Sequence, residues 1–252
     1  MSDSRAAYDE LISRLKQTAL LGSCAHLLGW DEQTNLPPQG GTLRADQMAL
    51  LSGMVHEQAT APRIGELLDE LNRTGGFGAD SPQAANLREA RHAYERETRL
   101  PKRLVEELSR VTTLSQQAWV RARKEKDFSQ FLPWLEQVVK LKREEADAVG
   151  YGDGVPYDAL LDTYEPAMTT TQVQAAFDGL RGDLVQLVQE IADSPRRPDT
   201  DILHRRFFVE AQREFGRTAA AAIGFDFDAG RLDEAAHPFC SGIGPGDCRL
   251  TT

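Results

Sequence analysis

The sequence predicts a mainly α protein with a small β element near its C-terminal end. Three observations carry that reading. Apolar residues recur at three- and four-residue steps through most of the chain, as helices with one buried face require. Capping residues and prolines at first helical positions punctuate those stretches. Alternation of the kind that marks strands begins only after Gly224.

Taken in order, Tyr8, Leu11, Ile12, Leu15, Ala19, Cys24, Leu27 and Leu28 predict one long helix up to Gly29. Leu36-Pro37-Pro38-Gln39-Gly40-Gly41 breaks it, because proline lacks the amide that a helix interior uses. Thr42 can cap a second helix with Met48, Leu51 and Val55 on one side, and a short helix follows around residues 64–71. Residues 74–78 read as a loop. Ser81-Pro82 sets an N-cap and a first-turn proline for a helix to about Thr98. Pro101 opens another to about Lys124. Asp127 caps the next, through Val149, with Gly150 as its stop. Residues 152–156 form a turn and residues 157–162 a short helical piece. Thr169, Thr170 and Thr171 offer caps for a helix through Ala192. Thr200 can cap a helix over residues 202–215, and a last helical turn covers 218–223. Phe225-Asp226-Phe227-Asp228 alternates, and residues 231–237 and 248–252 can pair as two strands. No repeat or low-complexity linker divides the chain. Residues 1–224 therefore read as a helical region and 225–252 as a small sheet element, within one structural domain.

A chain of 252 residues with 40% hydrophobic and 27% charged residues has the make-up of an ordinary globular protein. Its net charge of -10 excludes a sequence-independent nucleic-acid binder and disfavours anionic membrane surfaces. Cys24, Cys240 and Cys248 make no CxxC, and their odd count and spacing fit reduced thiols in a cytoplasmic protein. Cys240 and Cys248 can meet across the terminal loop, with a free pair expected in a reducing compartment. The N-terminus lacks the apolar core of a signal peptide, and no apolar stretch is long enough to span a bilayer.

Four constellations carry possible chemistry. His56-Glu57-Gln58-Ala59-Thr60 begins like an HExxH zinc helix, but Thr60 stands where the second ligand belongs. We read His56 as a surface or half-buried residue and reject the site. The other histidines, His26, His92, His204 and His237, make no two-ligand spacing. Trp119, Phe128, Phe131 and Trp134 read as core aromatics. Trp30-Asp31-Glu32-Gln33-Thr34-Asn35 sets polar side chains just past a helix end, where capping is the simpler explanation. In the last segment Pro238 holds His237 extended, and Asp247, Arg249 and Thr251 share one strand face. That is either a rigid loop beside a salt-bridged strand or a cleft wall, where His stabilises developing charge and Arg forks onto a carboxylate. On spacing alone the first reading leads.

His237-Pro238-Phe239, a glycine-rich turn and Asp247-x-Arg249-x-Thr251 together resemble two motifs of the carboxypeptidase Taq family. Its members are zinc metallocarboxypeptidases that remove C-terminal residues from peptides. Gly29-Trp30-Asp31-Glu32-Gln33-Thr34 with Pro37-Pro38, residues 128–145, and Tyr157-Asp158-Ala159-Leu160-Leu161-Asp162-Thr163-Tyr164-Glu165-Pro166 resemble further family segments. Ala167 stands where the family usually has Gly, and Cys240 and Cys248 stand at variable positions. The resemblance implies a multi-helix peptidase-type domain with a long cleft and a small sheet beside the zinc helix. It covers about the first half of such an enzyme, so the expected fold stops before the zinc-binding helix. The resemblance implies that His237, Asp247, Arg249 and Thr251 lie near the cleft, shaping it or meeting substrate. It assigns no catalytic residue and no metal ligand to this chain. Zinc or another divalent metal serves the full-length family, and none is expected here. The implied partners are a peptide substrate, a second copy in a homodimer or a missing C-terminal half. The chain alone is then expected to be inactive. Alternatives are one half of a two-chain peptidase and a stand-alone helical interaction module. An uncovered strand edge and apolar surface are expected to favour association.

Overall fold

Apolar periodicity becomes helix over most of residues 2–252, the part of the chain that the computed structural model describes. The chain folds as two units. The first runs to Gly150 and takes up the chain again at Arg231–Thr252; the second is Tyr151–Gly230.

The first unit contains α1 (Ser2–Thr34), α2 (Gly41–Ala59), α3 (Pro62–Thr74), α4 (Pro82–Glu97), α5 (Lys102–Glu125) and α6 (Leu132–Val149). Its main core joins α1 to α3. Tyr8 and Leu11 meet Ile64, Leu67, Leu68 and Leu71, all at helical three- and four-residue steps. The Tyr8 hydroxyl escapes burial without a partner by accepting from Asn86 Nδ2 at 2.8 Å.

α1 continues past Gly29 to Thr34 and stops only before Pro37 and Pro38. A glycine costs a helix about 1 kcal/mol relative to alanine. Burial of the next residue, Trp30, at 6% exposure outweighs that local penalty.

α2 also packs differently from its large apolar residues. Met48, Leu51 and Val55 are only half-buried, whereas Gly41, Ala45, Ala49 and Gly53 form a small-residue seam at four-residue spacing. The seam lets α5 approach closely. A methyl at Gly53 would collide with Glu106 and Lys102, and one at Gly41 with Gln117, all on α5. Ion pairs line the rim, with Lys102 on Glu57 at 2.7 Å and Arg110 on Asp46.

Some expected elements change. Asp127 caps a short 3-10 turn, Phe128–Gln130, and α6 starts only at Leu132. Of the expected core aromatics, Phe128 is 60% exposed and Trp119, Phe131 and Trp134 are half-buried. His56 is buried, not half-exposed, because its Nδ1 pairs with Glu97 at 3.2 Å. The last part of this unit is a three-stranded sheet rather than a strand pair. β1 (Gly230–Asp233) and β2 (Cys240–Gly244) flank β3 (Asp247–Thr251), with β2 and β3 antiparallel. The glycines of β2 disguise it as turn.

The second unit holds α7 (Pro156–Leu161), α8 (Thr170–Asp193) and α9 (Val209–Ala222). Asp158 of α7 accepts the Thr170 amide at 2.6 Å, tying α7 to the first turn of α8. Thr169 and Gln172 close a reciprocal capping box there. The expected helix over 202–215 is instead a 3-10 turn, Asp201–His204, followed by α9, which absorbs the final expected turn. No described residue of α8 is buried, and Phe177, Leu180, Leu184, Val188 and Ile191 form an exposed apolar stripe.

Candidate functional site

The C-terminal end of α1 and the face of the sheet bearing Asp247, Arg249 and Thr251 come together around Trp30. Two guanidinium groups lie over the indole: Arg249 at 4.4 Å and Arg231 at 4.9 Å from the ring centroid. Such contacts draw on the negative face of the ring. Each arginine also forks onto a carboxylate two residues along its own strand. Arg249 uses Nε and Nη2 on Asp247, the latter bond at 2.8 Å. Arg231 does the same on Asp233 at 2.7 and 2.6 Å. The Arg249 guanidinium holds the Asp247 carboxyl below the ordinary aspartate value. Two cations can thus sit over one ring because two carboxylates offset their repulsion. The indole Nε1 is sealed from solvent and finds no acceptor among the described residues.

The end of α1 is braced from α2. Arg44, 7% exposed, donates to the Leu28 carbonyl and, through Nη2, to Asp31 Oδ2 at 2.6 Å. Beside it, Glu32 accepts from Gln117 Nε2 at 3.2 Å. Burial pushes the Glu32 carboxyl up, with the Gln117 bond and the Arg44 charge pulling the other way. Glu32, Gln33, Leu36, Pro38, Gln117 and Ala236 are among the residues lining a pocket of about 210 Å³.

His237 follows Ala236 at the rim of that pocket. It is exposed, and its ring meets the edge of Trp119 at 6.2 Å between centroids. Arg123 stacks over Trp119 at 5.3 Å and donates to the Ala236 carbonyl at 2.8 Å, fixing the approach to Pro238. Thr251 has a different place. It is 4% exposed, and its hydroxyl accepts from the Phe239 amide at 2.8 Å and donates to the Phe239 carbonyl at 3.1 Å. It pins the His237-Pro238-Phe239 loop to β3.

The structure therefore gathers Asp247 and Arg249 at Trp30, sets His237 on a braced corner and commits Thr251 to backbone. Sequence reasoning missed Arg231, Asp233 and Arg44. Arg231-x-Asp233 repeats the Asp247-x-Arg249 spacing in reverse, a signal that could have been read. At the rejected zinc motif, His56 turns to Glu97 and Glu57 to Lys102. Among the described residues no three of His, Cys, Asp or Glu converge in a way that could hold a metal ion.

Residues 10–252 match the family model described as carboxypeptidase Taq (M32) metallopeptidase. The chain is 42% identical to thermostable carboxypeptidase 1 of Thermus thermophilus over 258 aligned residues, covering 98% of this chain and 50% of that protein. The solved structure of BsuCP superposes with a TM-score of 0.91 at 31% identity, over 98% of this chain and 49% of that one. The M32 carboxypeptidase of Deinococcus radiodurans R1 superposes with a TM-score of 0.75 at 35% identity, over 98% and 49%. The chain spans about half the length of the curated relatives it matches. The family model matches residues 10–252 and the Thermus thermophilus relative aligns with 98% of the chain: the chain belongs to the carboxypeptidase Taq (M32) metallopeptidase family.

Proposed function

We propose that this chain furnishes the N-terminal wall of a metallocarboxypeptidase cleft, in an enzyme that releases C-terminal amino acids from peptides. The observation that supports this most is the continuous match over residues 10–252, which includes every motif around Trp30 and His237. The relatives it matches are named as carboxypeptidases. Zinc or another divalent metal is the cofactor we infer for the whole enzyme, where it would polarise the scissile carbonyl and activate water. The described residues do not fit such an ion, so no step of the hydrolysis is assigned to them.

In this reading the chain's own work is binding and orientation. The exposed His237, held by Pro238 and by the Arg123 bond behind it, donates to a carbonyl oxygen of the passing peptide. Arg249 and Arg231 give that wall fixed positive charge, and Asp247 and Asp233 keep it from attracting anions indiscriminately. Thr251 sets the position of Phe239 and through it of His237. A cytoplasmic location and a homodimeric assembly belong to the same reading. No helix among the described residues is long and apolar enough to cross a membrane.

A second reading has a separate polypeptide supply the metal-binding half. The exposed stripe on α8 favours it, because such a face is stable in water only when something covers it. The first test uses the chain by itself with added zinc and a short peptide. We expect no stoichiometric metal and no release of C-terminal residues. Release by the pure chain would overturn the assignment of chemistry to the other half. Copurification of a second polypeptide on the α8 face would move the balance to the second reading.

A further inference from the structure

We propose that Cys240 and Cys248 are a reversible dithiol site, closed to a disulfide by small-molecule disulfides of the glutathione type, which clasps β2 to β3. Both cysteines are free, and their Sγ atoms lie 3.7 Å apart. The strand register explains the contact. Cys240 pairs with Leu250 and Gly242 with Cys248, so all four share one sheet face and the cysteines are diagonal neighbours. Diagonal side chains usually stand farther apart. Here the residue opposite Cys248 is Gly242, and a methyl built there would meet nothing within 4 Å. Gly242 has no side chain, so nothing on β2 stands directly opposite Cys248. A register irregularity between Gly242 and Gly244 sits beside the pair, and irregularities of this kind increase local twist.

Exposure orders the chemistry. Cys240 is exposed and Cys248 half-buried. The Cys240 thiolate attacks one sulfur of oxidised glutathione, whose S–S bond breaks. One glutathione leaves as a thiolate and takes a proton from water. Cys240 now carries a mixed disulfide. Cys248 then loses its proton to water and attacks Cys240 Sγ. The bond to glutathione breaks and the second glutathione leaves. Two protein thiols are oxidised to one disulfide, and one glutathione disulfide is reduced to two thiols. The Cys248 thiol is held above its ordinary value first by the hydrogen bond with Cys240, then by burial, and then by the charges of Cys240 and Asp247. The first step removes that hydrogen bond, and so eases the second.

The clasp acts where the family motifs meet. β2 starts one residue after Phe239, which Thr251 of β3 already holds. Closing the disulfide adds a covalent tie between the strand that leaves the His237 corner and the strand that carries Asp247 and Arg249. The opposite face, toward Trp30, stays as it is.

The test takes the full chain carrying Cys24→Ser, since Cys24 is an exposed residue of α1 remote in sequence from the hairpin. The protein is incubated with oxidised glutathione, and free thiols, intact mass and linked peptides are read. The expected product has lost both thiols, is lighter by two hydrogen atoms, contains a single 240–248 link within one chain and reverts with reduced glutathione. Backbone amides of β2 and β3 exchange more slowly in it. With Cys248→Ser added, the reaction should stop at one glutathione on Cys240. Lasting glutathione adducts on both cysteines, links between chains or two unreacted thiols would each overturn the proposal.

Discussion

Arg249 spans Trp30 and Asp247 at once: its guanidinium lies 4.4 Å from the indole centroid while two of its nitrogens fork onto the carboxylate. Arg231 repeats the arrangement at 4.9 Å with Asp233. One buried ring from the end of α1 thereby anchors two strands of the sheet.

Trp30→Ala should be among the costlier single changes in the first unit. Truncating a buried tryptophan costs about 3–5 kcal/mol, and here it also leaves both guanidinium groups without their ring. The indole Nε1 makes no hydrogen bond among the described residues, so Trp30→Phe should recover much of the loss. Denaturant unfolding of the two variants checks this. Equal stability of Trp30→Ala and the parent chain would refute the anchoring role.

Glu32 predicts a pH-dependent effect of the opposite sign from that of most acids. Its folded pKa is raised by burial above the unfolded value of 4.5. Above the folded pKa the carboxylate is charged in both states, and its desolvation cost falls wholly on the fold. Below 4.5 the group is neutral in both and the cost has gone. Glu32→Gln should therefore raise the melting temperature at neutral pH, with the gain fading as pH falls through the folded pKa toward 4.5. Melting curves of both proteins across that range would show it. A gain that persists at low pH would contradict the cause given.

Ala167 sits at φ 65°, in the left-handed region, with its amide bonded to Asp162 Oδ1 at 3.1 Å. An L side chain costs roughly 1–2 kcal/mol there, and glycine returns part of the gain through the entropy of the unfolded chain. Ala167→Gly should stabilise by about 0.5–1 kcal/mol, read from chemical denaturation. Destabilisation by the same amount would mean that the conformation is unstrained.

Replacing Phe177, Leu184 and Ile191 on α8 with Gln should leave folding nearly unchanged, because all three are exposed, at 64%, 48% and 61%. The same change should sharply reduce self-association and binding of apolar dyes. Light scattering and dye fluorescence at matched concentrations test this. Undiminished association would place the sticky surface elsewhere.

Local signals carried over well from sequence to structure. The Ser81–Pro82 start, the Thr169 cap and the Gly150 stop depend on residues within one helical turn of each other, and each is present. Ala167, the departure from the family's glycine, proved to be a positive-φ residue. What stayed hidden depends on distant partners. Trp30 extends α1 past Gly29 because arginines from the sheet cover its ring. The seam of Gly41, Ala45, Ala49 and Gly53 carries almost no hydrophobic signal, because its value lies in the close approach of α5. β2 was read as a turn because Ser241-Gly242-Ile243-Gly244 has the composition of one. At the site, the Asp247–Arg249 pair followed from strand spacing. The backbone role of Thr251 did not, because it needs the position of Phe239.

The central claim is that this chain is one wall of a metallocarboxypeptidase cleft, and complementation tests it most directly. The chain is coexpressed with the second half of the Thermus thermophilus relative, purified as a complex and assayed with zinc for release of C-terminal residues from peptides. The account predicts release by the complex, none by either half, and a loss of at least about tenfold in kcat/KM with Arg249→Met at unchanged complex yield. A stable, metal-loaded complex that releases nothing, or one indifferent to Arg249→Met, would contradict it.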